Sequence, residues 1–105
     1  MTQKQIIQRL ETLGVYDESY RYLVAELHYN LKLMREAKKD IASNGIMVAG
    51  SADPDSNYKV KNPSISTYND GLKNTLNISR KLGMSPFDAR NIVSTAMQMD
   101  DGFDD

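Results

Sequence analysis

Residues Lys61 to Arg90 read KNPSISTYNDGLKNTLNISRKLGMSPFDAR, and the punctuation of this stretch decides the fold. Two helix starts of one design lie in it: Asn62 before Pro63, and Ser85 before Pro86. In each, a short polar side chain can cap free backbone N–H groups, while proline takes a first-turn position where its missing N–H costs nothing. Both prolines therefore open helices. Between them Ile65, Tyr68, Leu72, Leu76 and Leu82 recur at helical spacing, Lys81 lies in the last turn, and Gly83 follows as the stop. Asp88, three residues after Ser85, completes a Ser-x-x-Asp capping arrangement. The expectation is helix, tight corner, helix, with the last helix running from Pro86 to about Gln98 and using Phe87, Ala89, Ile92, Val93 and Ala96 for burial.

Upstream, residues 44 to 61 (NGIMVAGSADPDSNYKVK) break the helical pattern. They read either as a short ribbon pairing 46–48 with 58–60 around Ala52-Asp53-Pro54-Asp55, or as an ordered loop. Before them a long helix is predicted, capped by Asp17, reaching about Ser43 and stopped by Gly45. Tyr20, Leu23, Leu27, Met34, Ala37 and Ile41 form a packing seam on it, interrupted only by Asn30. Tyr22, Val24, Tyr29, Leu31 and Leu33 lie off that seam, so most of the circumference is apolar and one partner helix does not cover it. The expectation is that copies associate through Tyr20, Leu23, Leu27, Leu31 and Met34, and that head-to-tail contacts close into a ring. At the start of the chain, Thr2 and Gln5 form a capping box, and Ile6, Ile7, Leu10 and Leu13 make one apolar face before Gly14. The fold class is therefore all-α: a helical hairpin with short N-terminal and C-terminal helices. Its divisions are an N-terminal helix (1–14), a hairpin domain for oligomerisation and DNA contact (15–99) and an acidic flexible tail (100–105).

A chain of 105 residues is one small domain, for which size scaling leaves a thin margin of buried surface. It has no cysteine, so disulfides and thiolate-ligated metals are excluded, which fits a reducing cytoplasm. No apolar run approaches the ~20 residues of a membrane span, and no signal-peptide core opens the chain. The localisation expected is cytoplasmic. Net charge is −1 overall, yet four of the 14 acids are Asp100, Asp101, Asp104 and Asp105, and the chain ahead of them carries +3. A mildly basic body permits phosphate contacts without requiring them.

The densest basic cluster is Lys32, Arg35, Lys38 and Lys39 on the second half of the long helix. Such residues can touch DNA backbone or simply complement the helix dipole. Lys59 and Lys61 flank Val60 and would point the same way on a strand. The candidate DNA contacts are thus Lys32, Arg35, Lys38, Lys39, Lys59 and Lys61, chosen by charge clustering. His28, the one histidine, has no companion ligand and reads as a packing or interface residue. The tail, with Phe103 among aspartates, is either a solubilising end or a docking segment for a basic partner. No phosphate loop, dinucleotide fingerprint, zinc-protease motif or paired nucleophile and base is present, so no enzyme is expected, and no metal or cofactor.

Taken together, Asn62-Pro63, Leu82-Gly83-Met84-Ser85-Pro86 and Arg90 resemble the C-terminal half of a family of small terminase subunits of tailed phages. There an Asn-Pro pair opens a helix and a Leu-Gly-(Leu/Met)-(Thr/Ser)-Pro corner leads to an arginine. A weaker likeness extends over Tyr16 to Gly45. The resemblance implies a non-catalytic subunit that binds double-stranded viral DNA, recruits the large ATPase and nuclease subunit and so starts genome packaging in the host cytoplasm. It also suggests the large subunit as the partner docked by Asp100, Asp101, Phe103 and Asp104. No small-molecule substrate and no membrane enter that picture. Two other readings stay open. One is a helix-turn-helix regulator using the helix from Pro86, with Asp88, Arg90 and Asn91 near its start. The other is a purely structural α-helical oligomer.

Overall fold

The computed structural model describes residues 1–98. Four helices and one small hairpin follow in order: α1 (Gln3–Thr12), α2 (Arg21–Asn44), β1 (Met47–Ala49), β2 (Lys59–Lys61), α3 (Pro63–Lys81) and α4 (Pro86–Gln98). The body is elongated, 57 × 23 × 21 Å. No described helix is long and apolar enough to cross a membrane.

Each helix boundary follows from local chemistry. Gln5 N–H donates to Thr2 Oγ1 (3.1 Å) while Thr2 N–H donates to Gln5 Oε1 (2.9 Å), the reciprocal box expected at the start of α1. Asp17 caps as expected, accepting from Ser19 N–H at 2.8 Å, but what it opens is one 3₁₀ turn over Glu18–Tyr20, and α2 starts behind it. Asn62 accepts from Ser64 N–H at 2.9 Å and Ser85 from Asp88 N–H at 3.1 Å, so both proline-led starts form as the sequence indicates. At the α3–α4 corner Gly83 has φ +81°, Gly83 N–H donates to the Arg80 carbonyl and Met84 N–H to that of Ser79, each at 3.0 Å. This left-handed glycine cap satisfies two carbonyls that the helix end leaves free. Gly14 closes α1 in the same way, through Gly14 to Glu11 and Val15 to Leu10. The two corners touch, since a β-carbon on Gly83 would lie 3.7 Å from Val15.

α2 and α3 pack as an antiparallel hairpin. Asn74 Nδ2 donates to Asn30 Oδ1 at 3.4 Å and Ser64 Oγ donates to Asp40 Oδ2 at 2.7 Å, so residue numbers rise on one helix as they fall on the other, and Thr75 Oγ1 approaches Met34 Sδ at 3.6 Å. Asn30, the polar break in the seam, is thus paired across the hairpin. The face that α3 turns to α2 is made of small residues, Gly71, Thr75 and Ser79, together with Ile78, all buried. Tyr68, Leu72 and Leu76 flank this face and are only half-buried. Small side chains let the two backbones come close, which is why the periodic leucines of α3 do not form the centre of the interface.

The seam expected to join copies is covered within the single chain. Leu27, Leu31 and Met34 are completely buried within the chain, Leu23 nearly so, and Tyr20 packs on the same core. α1 contributes Ile6 and Leu10 to that core, α3 and α4 contribute Ile78, Ile92, Ala96 and Met97, and the corner between them contributes Leu82. Three elements therefore cover α2, where the sequence argument allowed it one. The aromatic residues left on its surface are Tyr22 and Tyr29, 67% and 61% exposed.

Candidate nucleic-acid interface

The hairpin of β1 and β2 forms with a register one residue along from the sequence expectation: Met47 faces Lys61, Val48 faces Val60 and Ala49 faces Lys59. Residues directly opposite share a face. Lys59, Lys61, Met47 and Ala49 are exposed, and Val48 and Val60 are half-buried on the other side. The two lysines do point the same way, as a strand requires.

A polar knot fixes this hairpin to the end of the helical hairpin. Asn62 is 3% exposed and uses every polar group. Its Nδ2 donates to Asp40 Oδ2 (3.0 Å) and to the Gly45 carbonyl (2.9 Å), its backbone N–H donates to the Ile46 carbonyl (2.6 Å), and its Oδ1 caps α3. Asp40 also accepts from Ser64 Oγ at 2.7 Å and Asn44 Nδ2 at 2.6 Å. These donors, Ser64 first and then Asn62 and Asn44, hold its carboxyl below the ordinary aspartate value. The knot brings Lys39, beside Asp40, and Lys61, beside Asn62, to one end of the molecule. Lys59 lies there too, lining a concavity of about 630 Å³ with Asp40, Asn44 and Met47.

The six candidate cations separate into two groups. Lys38, Lys39, Lys59 and Lys61 are exposed. Among the described residues, Lys38, Lys59 and Lys61 make no ion pair. Lys32 and Arg35 are half-buried, and Arg35 Nη1 donates to the Met97 carbonyl at 2.9 Å. That bond satisfies a carbonyl in the last turn of α4 and joins α4 to α2. Arg35 therefore has a packing duty within the chain that charge clustering alone does not indicate. His28 is buried in the body, on the packing side of its two expectations. Asp100, Asp101, Phe103 and Asp104 lie outside the described residues.

At the other end, α3, the Gly83 corner and α4 make the helix-corner-helix unit on which the helix-turn-helix reading rests. The first turns of α4 expose Phe87, Arg90 and Asn91, with Asp88 half-buried and bonded to Ser85 Oγ at 2.9 Å. This end carries Arg90 on its helix start, with Arg80 lining the same concavity and Lys81 in the last turn of α3, while Lys39, Lys59 and Lys61 lie at the hairpin end. Among the described residues no group of three or more histidine or acidic side chains is placed to hold a metal.

The family model "Phage terminase, small subunit" matches residues 3–98, spanning all four helices and the hairpin between them. The chain belongs to the phage terminase small subunit family. Comparison with curated proteins and with solved structures gave no significant match. Membership gives this small subunit a part in phage DNA packaging. The two motifs carrying the likeness have structural duties in it: Asn62 ties three elements together, and Leu82 to Pro86 form the corner that sets α4 on the core.

Proposed function

We propose that this small subunit is a non-catalytic packaging factor that binds double-stranded viral DNA in the host cytoplasm and recruits the large terminase subunit. The observation that carries the DNA part is the gathering of Lys39, Lys59 and Lys61 at the hairpin end, from two elements far apart in sequence, with Lys38 exposed beside Lys39 on α2. Lysines at such a surface neutralise phosphates and release counterions, giving sequence-tolerant and salt-sensitive affinity. Segment 100–105 is the docking element for the large subunit, through Phe103 and the aspartates beside it. Copies associate through the exposed stripe of α2, Tyr22 and Tyr29 with the half-buried Leu33. Aromatic residues at such positions suit subunit interfaces, and closure of head-to-tail contacts makes a ring.

The test is duplex-DNA affinity measured across a salt series for the native chain and for Lys59→Gln with Lys61→Gln. Loss of two phosphate contacts is expected to lower the log–log salt slope by about 2, at ~0.9 per phosphate. An unchanged slope removes the hairpin lysines from the interface. Lys38→Glu with Lys39→Glu is expected to abolish DNA retention while helicity and assembly persist, and retained binding would exclude that pair.

A further inference from the structure

The half-buried stripe of α3 borders a groove of about 480 Å³ between α3 and α4. Tyr68, Leu72, Leu76 and Val93 supply apolar walls, and Lys38 and Arg90 line the same groove. Both cations are exposed, and among the described residues neither makes an ion pair. The volume falls within the roughly 300–1,000 Å³ of pockets that hold ligands. Such a site suits a short segment with one large apolar side chain flanked by carboxylates.

The chain carries such a segment immediately next to the groove. Gln98, the last residue of α4, is itself part of the groove lining, and MDDGFDD follows it as residues 99–105. Extended chain spans at most ~3.3 Å per residue, so Phe103, five residues on, reaches roughly 16 Å from Gln98. The α4 wall from Gln98 back to Arg90 is about 12 Å long at 1.5 Å per residue. We infer that the groove is the seat of this chain's own segment 99–105, with Phe103 against the apolar walls and its aspartates against Lys38 and Arg90. The charges and the apolar area match, and linkage within one chain supplies a high effective concentration. On the docking role proposed above, the groove and the large subunit compete for residues 100–105, so the segment is covered until a partner takes it.

The chain has no tryptophan, so Phe103→Trp places a single emitter in the segment. In the full-length protein this tryptophan is expected to emit at shorter wavelength than free tryptophan and to resist iodide and acrylamide quenching several-fold. Lys38→Glu with Arg90→Glu, added to Phe103→Trp, is expected to restore the wavelength and quenching of an exposed indole with unchanged helical circular dichroism. Changing Asp100, Asp101, Asp104 and Asp105 to asparagine is expected to do the same without touching the folded body. An exposed tryptophan in the first protein, or a shielded one in the tail-neutralised variant, overturns the inference. Occupancy by a neighbouring copy is separated by refolding the Phe103→Trp chain with an excess of Lys38→Glu/Arg90→Glu chains. Retained shielding supports docking within the chain, and lost shielding overturns it.

Discussion

At Gly71 a β-carbon would lie 2.6 Å from Met34 Cγ and 3.5 Å from the Asn30 carbonyl. Glycine in mid-helix forgoes ~1 kcal/mol of helix propensity relative to alanine, so the close approach has to outweigh that loss. Met34 is completely buried and has nowhere to swing. Gly71→Ala is expected to cost about 1 kcal/mol net, since overpacking typically costs ~1–3 kcal/mol. Thermal unfolding checks this, and a rise in Tm would show that the hairpin relaxes freely. Ser79, two turns on, is fully buried with an Oγ that has no hydrogen-bond partner. Ser79→Ala removes an uncompensated polar atom, so it should be neutral or stabilising. At Asp40 the sign is set by its depressed pKa. The folded state binds the proton less readily than the unfolded chain, so this contribution is complete above the ordinary aspartate pKa and is lost as pH falls toward the depressed value. Asp40→Asn should flatten the acid limb of the stability profile below about pH 4, measured by urea unfolding at several pH values.

Asn62 shows how one side chain sets the relation of three elements. It caps α3, bonds the last turns of α2 through Asp40, and takes the carbonyl of Gly45 at the start of the connection. Asn62→Ala is expected to cost about 2–3 kcal/mol, combining a lost cap with buried acceptors left unpaired. The same change should loosen β1 and β2, read as faster amide exchange at Val60 and Lys61. Asn62→Asp keeps the cap but places a second carboxylate at 3.0 Å from Asp40, so the cap alone would not rescue stability.

For the assembled molecule, the seam and the surface stripe of α2 make opposite demands on experiment. Leu27→Ala opens a cavity inside each chain and should cost about 2–5 kcal/mol. Tyr22→Glu with Tyr29→Glu should leave the fold intact and lower the mass found by light scattering to that of one chain. A native protein that already runs as a monomer would remove the stripe from the account. The distinction was out of reach of periodicity, because Leu23, Leu27 and Leu31 would look alike whether α1, α3 and α4 or another copy covered them. The cations divide for a similar reason. Lys59 and Lys61 were legible from strand alternation, whereas the role of Arg35 depends on a carbonyl 62 residues away.

Helix starts, glycine stops and the corner at Leu82 to Pro86 could be read directly, because capping and left-handed backbone depend on a few adjacent residues. Asn62-Pro63 and the corner were likewise enough to point to the family. Tertiary structure alone decided which face of α3 meets α2, where small residues replace the periodic leucines, and it alone gathered lysines from α2 and β2 at one end. Those outcomes depend on how closely two backbones approach and on which residues lie nearest across a long sequence separation, and neither is a property of local sequence.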